Sequence, residues 1–382
     1  MKLKSNTIPL YDFLNRNKVI SIITHIIAAI FFYLIRSYNK LFAIREGNVV
    51  IISLTRLGDT LFSIPALREL KKYYDKKIII ICYKESIPIY NLAFSDLDYY
   101  VVKHEDFYFQ ERIAKKSVKK GIKSLKPEII IDFTGTMASA SIIYNLRAAS
   151  ITGINGKLFK QVYDNFVDFR IKPRLVDIYY DTISPIINVK NRDEMKTPLQ
   201  VLKPEGKVLI HPFAGWKEKE WSFRNYIKLT DNLKNQYHLA LLIPSGQISY
   251  DVLQEIEYAQ IEVIQTSNVE DLIHNIQECT LFIGNDSGPA NIANFVGRPT
   301  LTIYSATNPD YTATTNEHQI YLQKILNCSA GSNEKFCIIG GDLYNCPGIQ
   351  CMNLVTFDQV HEQVISLLRK YCNRKNENSK VN

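Results

Sequence analysis

The chain has 382 residues, 46% hydrophobic and 22% charged, with a formal net charge of +8. That length holds two domains with sizeable cores, and the cationic balance suits anionic partners such as nucleotides or anionic lipids. No zinc-finger spacing and no aromatic-basic signature of RNA-binding sheets is present, so no nucleic-acid partner is expected. No Walker loop and no G-x-G-x-x-G follows a predicted strand, which removes support for P-loop NTPases and ordinary dinucleotide enzymes.

Residues 19–35 are nearly all apolar and are flanked by Arg16, Lys18, Arg36, Lys40 and Arg45. The run is at the short limit for a membrane span and lacks a small-residue cleavage signature. Ser21, Thr24, His25 and Ala28 fall on one helical face, and basic residues on both sides give no orientation. A helix lying on the cytoplasmic leaflet fits these features; a helix packed on the protein's own core is the alternative.

A first alternating series begins near residue 48. Residues 49–54 read as a buried parallel strand, 60–74 as an amphipathic helix, and 77–83 and 128–133 as further strands. A polar stretch with Pro198, Pro204 and Gly206 reads as a linker. A second series follows, with strands at 207–211, 239–243, 261–264, 281–283 and 300–304. Helices fit at 222–233, 250–258, 269–276 and 290–296, and residues 357–371 read as a closing amphipathic helix. The expected organisation is therefore an arm (1–45), a Rossmann-like domain (46–190), a linker (191–206), a second Rossmann-like domain (207–354) and a closing helix with tail (355–382). Two doubly wound α/β halves predict a cleft lined by loops at the carboxyl ends of strands.

Cys328, Cys337, Cys346 and Cys351 cluster in a short stretch with no established zinc spacing. Reduced thiols, a structural bridge or a metal site all stay open.

Three strand-end loops carry candidate chemistry. In Thr55-Arg56-Leu57-Gly58-Asp59-Thr60, Gly58 permits a tight turn, and Asp59 is either a carboxylate held for proton abstraction or a helix cap. In the stretch from His211 to Ser222, Lys217 and Lys219 either face a cleft or are ordinary surface lysines. Asn285-Asp286-Ser287-Gly288-Pro289 leads from a strand into a helix. Its free N–H groups and positive dipole end make a ready phosphate site, or it is a turn needed only for packing.

The order of these motifs resembles glycosyltransferase family nine, the lipopolysaccharide heptosyltransferases. The resemblance rests on R-L-G-D with I-P-A-L, on I-D-F-T-G at 131–135, and on H-P-F-A-G with K-E-W-S-F-R-N-Y. It continues in N-D-S-G-P, G-R-P-T and Cys351-Met352, covering residues 48–371. It implies a GT-B fold with an acceptor half first, a nucleotide-sugar half second and a closing helix that crosses back. It also implies inverting transfer from an ADP-activated heptose to an anionic core glycolipid. On this pattern Asp59 is the general base, and Thr55, Arg56, Gly58 and Thr60 line the acceptor side. Lys219, Asp286, Ser287, Gly288, Asn291, His211 and Gly215 form the donor side. The family usually has a histidine where Asn291 stands; asparagine donates a hydrogen bond but cannot become cationic. With a helix start and a lysine to meet the leaving diphosphate, no cofactor and no essential metal is expected. The expected location is the cytoplasmic face of the inner membrane. A nucleotide-sugar epimerase would turn over donor without acceptor, and a non-catalytic binding protein would turn over neither.

Overall fold

The computed structural model describes residues 18–373 apart from 156, 169–173, 194, 196, 204, 249, 315, 332–333, 335, 338–345 and 347. Arg16 and Pro204, together with the start of the arm and the end of the tail, lie outside the described residues. The chain divides into two compact units. The first holds the described parts of Met1–Thr55, Ser63–Arg170 and Asp177–Arg192; the second holds those of Arg56–Phe62, Ile171–Val176 and Asp193–Asn382.

Along the first half of the chain, α1 (Lys18–Leu41) precedes β1 (Asn48–Ser53), α2 (Leu57–Tyr73, of which residues 57–62 belong to the second unit), β2 (Ile78–Tyr83), α3 (Ile87–Asn91) and β3 (Asp98–Val102). A small hairpin, β4 (Phe107–Tyr108) and β5 (Ile113–Ala114), leads to α4 (Lys116–Ser124). Then come β6 (Pro127–Asp132), α5 (Met137–Ile143), β7 (Ser150–Asn155), β8 (Asn165–Asp168) and α6 (Leu175–Ile183), the last of which joins the first unit from Asp177 onward. The sheet is parallel in the order β3-β2-β1-β6-β7-β8. Val49 to Ile52 are buried because helices cover both faces, which is why this strand is continuously apolar rather than alternating.

The I-D-F-T-G motif is structural here. Asp132 is fully buried, its Oδ1 accepting from the Thr134 and Gly135 amides at 2.8 and 3.1 Å and its Oδ2 from Tyr163 Oη at 2.7 Å. Burial raises its pKa against the pull of those donors. Gly135 turns with φ 63°, a left-handed conformation that favours glycine.

The second unit repeats the plan. Its elements are β9 (Val208–His211), α7 (Phe223–Leu233), β10 (Leu239–Pro244), α8 (Tyr250–Tyr258), β11 (Glu262–Thr266), α9 (Val269–Glu278) and β12 (Leu281–Asn285). They continue with α10 (Gly288–Phe295), β13 (Thr300–Tyr304), α11 (Pro309–Thr312), β14 (Gln319–Gln323), α12 (Gln350–Asn353) and α13 (Phe357–Tyr371). The sheet order is β11-β10-β9-β12-β13-β14, again all parallel. The expected linker packs on this unit: Gln200 N donates to Gly297 O at 3.1 Å and Arg298 to Val201 O at 3.3 Å. Helix α13, expected as a crossover, buries Val360, Val364, Leu367 and Leu368 in the second unit's own core.

The apolar N-terminal run is a helix, α1. Thr24, Ala28, Phe32, Ile35, Arg36 and Asn39 form its less exposed stripe. Arg36 is buried, donating to Asp164 and, at 2.9 Å, to Ala148 O, while Lys40 reaches Asp164 at 3.1 Å. These two basic residues therefore serve docking onto the first unit rather than acting as unpaired flanks.

Candidate active site

In each sheet the strand order reverses direction between its first and fourth strands, and open α/β sheets bind ligands beyond that point. In the second unit those strands are β9 and β12, which end at His211 and Asn285. Asn285 fixes the geometry. Its Oδ1 accepts from Trp221 N at 2.9 Å and Tyr226 Oη at 2.8 Å, and its Nδ2 donates to Pro212 O at 2.7 Å. The K-E-W-S-F-R-N-Y stretch thus locks two strand-end loops together. Gly284 is required beside it, because a Cβ there would meet His211 O at 2.8 Å.

Past that lock, Lys219 Nζ lies 2.5 Å from Asp286 Oδ2, which also accepts from Thr307 Oγ1 at 2.6 Å. Asp286 is 4% exposed. The Lys219 ammonium also lies 4.9 Å from the Trp216 ring centroid. Ser287 takes the N-cap position of α10 with extended backbone and makes no capping bond. Its Oγ is buried and has no hydrogen-bond partner among the described residues. A buried hydroxyl left without a partner is costly, and a ligand oxygen would satisfy it.

These groups line a cavity of about 340 Å³, together with Arg56, Gly58, Asp59, Gly215, Trp216, Gly288, Asn291, Thr307, Tyr311, Thr312 and Phe336. That volume is in the range of small-ligand sites. Asp59 sits in the first turn of α2, which begins at Leu57, three residues before the start expected from the sequence pattern. Gly58 is in the same turn and does not take a left-handed φ. It is small for space: a Cβ would come within 3.2 Å of Asn291 Nδ2. Burial, then the Asp59 carboxylate, raises the Tyr311 hydroxyl's pKa.

Nine of the twelve expected site residues line the cavity: Asp59, Lys219, Asp286, Ser287, Gly288, Asn291, Gly215, Arg56 and Gly58. Three do not. His211 is buried against Leu242 O, to which its Nδ1–H donates at 2.8 Å, and burial lowers its pKa to about 4. Thr60 is buried with Oγ1 on Arg56 O at 3.1 Å, and Thr55 lies 3.2 Å from Ser53 Oγ in the first unit. Arg224 is exposed beside Glu255, and Lys217 is not among the lining residues. Thr307, Trp216, Tyr311, Thr312 and Phe336 were not expected. Trp216 stands inside the H-P-F-A-G-W-K run, and Thr307 follows β13 at another strand end, which was the available signal.

The Asp96-Leu97-Asp98 spacing resembles a D-x-D metal motif, but Asp96 pairs with Lys71 and Asp98 with Lys77, in the first unit. Cys328, Cys337, Cys346 and Cys351 line a second cavity of about 150 Å³ and are not joined in disulfides. Burial first, then the neighbouring thiols, raises the Cys351 pKa. Among the described residues no group of three or more ligand side chains is arranged to hold a metal.

Two doubly wound parallel units, the second with a cavity at a strand-to-helix turn, define a GT-B class protein. The profile of glycosyltransferase family 9 (heptosyltransferase) matches residues 116–338, more than half of the chain, and the chain belongs to that family. A Haemophilus influenzae lipooligosaccharide heptosyltransferase 2 is 26% identical over 154 residues, covering 37% of this chain and 44% of that protein. The chain thus spans less than half the length of that relative. A solved family 9 glycosyltransferase from Veillonella parvula shares the fold with TM-score 0.64 at 17% identity, over 86% of this chain and 98% of that one. Escherichia coli ADP-heptose lps heptosyltransferase II does so with TM-score 0.64 at 15% identity, over 85% and 99%.

Proposed function

We propose that the chain is an inverting glycosyltransferase that moves a heptose from ADP-heptose to a lipopolysaccharide or lipooligosaccharide core acceptor at the cytoplasmic face of the inner membrane. The observation that carries this is the buried, unpartnered Ser287 Oγ at the start of α10, lining the same cavity as Asp59 and Lys219. Asp59 takes the proton from the attacking acceptor hydroxyl as that oxygen bonds to the anomeric carbon. The bond from that carbon to the diphosphate breaks, and its electron pair leaves on the phosphate oxygen. Ser287 Oγ, the amides at the start of α10 and the Lys219 ammonium then meet developing negative charge with donors already in place. Asp286, itself held by the Thr307 hydroxyl, positions Lys219. Asn291 supplies a neutral donor, so the cationic share falls to Lys219 and Arg56.

Purified protein is incubated with ADP-heptose, with and without acceptor glycolipid. ADP release only with acceptor is the expected result; donor conversion without acceptor indicates an epimerase, and no turnover a binding protein. Asp59→Asn should keep its thermal shift with ADP while turnover falls about 10²–10⁴-fold, the usual worth of a general base. A wild-type kcat in that variant would remove Asp59 from the mechanism.

A further inference from the structure

Helix α1 shows opposite faces to opposite surroundings. Phe32, Arg36 and Asn39 hold it to the first unit, with the Phe32 ring 6.1 Å from Tyr144 and 6.2 Å from Phe159. The other face exposes Ile22, Ile23, Ile26, Ile27, Ile30 and Leu34, each at least half exposed. Isolated apolar residues are common on surfaces, but a contiguous apolar face this long marks a docking site.

Cations from elements distant in sequence lie beside the residues that hold α1 and beside its end. Lys119 of α4 lies 5.0 Å from the Tyr144 ring, which also packs against Phe32. Lys160 adjoins Phe159, the second aromatic partner of Phe32, and is itself exposed. Arg147 lies over Phe42, just past the end of α1, at 5.3 Å. Helix α4 adds exposed Lys116, Lys120 and Lys123, with Val118 and Ile122 turned inward. An exposed apolar strip on a unit that carries cations beside the same helix is complementary to an anionic bilayer, whose headgroup phosphates lie just outside its acyl region.

We propose that this face of the first unit docks on an anionic phospholipid bilayer, α1 entering the interface and Lys119, Arg147 and Lys160 meeting headgroup phosphates. The proposal deepens the membrane part of the function proposed above. The helix lies on the bilayer and does not cross it. A spanning helix would have to carry Arg36 and Asn39 into hydrocarbon, whereas here both are buried in protein contacts.

The test uses the full chain and sedimentation with vesicles of phosphatidylcholine alone or with about a quarter phosphatidylglycerol. Ile26→Asn with Ile30→Asn should lower partitioning to both kinds. Lys119→Gln with Lys160→Gln should lower it about fivefold per lysine on anionic vesicles and leave neutral ones unchanged. Circular dichroism confirms folding, and Lys160→Gln alone, at an exposed position, guards against a general packing effect. Partitioning unchanged in the isoleucine pair, or an equal loss on both vesicle types in the lysine pair, would overturn the proposal. So would resistance to alkaline carbonate extraction, which indicates a span. A concentration-dependent dimer that ignores vesicles would assign the face to a second copy instead. ADP release on a water-soluble acceptor fragment, measured in the same samples, separates failure of docking from failure of the transferase reading.

Discussion

Asp286 Oδ2 accepts from both Lys219 and Thr307 while almost fully buried, so the two donors have unequal worth. Removing Lys219 leaves a buried carboxylate with one neutral donor. Lys219→Met should cost about 2–4 kcal/mol in chemical denaturation, whereas Thr307→Val should cost about 1–2. Lys219→Met should also weaken ADP binding more than Thr307→Val. Equal losses would mean that the ion pair contributes no more than the hydroxyl. The lysine and the aspartate were legible because each stands in a motif at a strand end. Thr307 was harder to find, since its partner is 21 positions away and its place after a strand end was the one signal it offered. His211 misled for the opposite reason. It belongs to a recognisable motif, but as the last residue of β9 it is buried in the unit.

Element boundaries show where periodicity reads well. The central strands β1, β2, β9, β10, β12 and β13 are continuous apolar runs, buried on both faces, and hydrophobicity alone located them within a few residues. The edge strands β3 and β14 are half exposed, carry Asp, Tyr and Gln, and gave no comparable signal. The amphipathic nature of α1 was visible, but not what its inner face holds, because Asp164 is 128 residues from Arg36. That pair makes docking of the helix acid-sensitive. Burial alone would raise the Asp164 carboxyl, but Arg36, the Ile151 amide and Lys40 outweigh it and hold its pKa below the ordinary value of 3.8. The stabilisation is therefore present above about pH 4 and is lost as pH falls through the lower, folded-state value. Hydrogen exchange in α1 should speed up in that acid range before the central strands open. Arg36→Met should produce the same opening at neutral pH, at a cost of about 1–3 kcal/mol given the partial exposure of Asp164. Unchanged exchange in the variant would show that apolar packing alone holds the helix.

At the scale of the molecule, the same strand order occurs twice, and the second copy carries the Ser287-Gly288-Pro289 turn after its fourth strand. A nucleoside diphosphate that binds only the native state raises apparent stability by about 2.7 kcal/mol at a hundred times its Kd. A thermal-shift comparison of ADP, UDP and GDP should rank ADP first; a larger shift with either of the others would reassign the donor. Chelator should leave turnover intact, since a lysine and a helix start are proposed to meet the leaving group; loss with EDTA and recovery with magnesium would refute that.

The closing helix also sets an order of events during synthesis. Val360, Val364, Leu367 and Leu368 share one core with β9, β10, β12 and β13, and Val355 O accepts from Trp221 Nε1 at 2.9 Å. Trp221 also reaches Asn285 through its amide, so the turn after β12 and the segment leading into the late helix meet in one residue. A nascent chain can complete the first sheet early, but the second unit stays open-cored until residue 368 has cleared the ribosome. Until then its apolar strands are exposed to chaperones and to neighbouring chains.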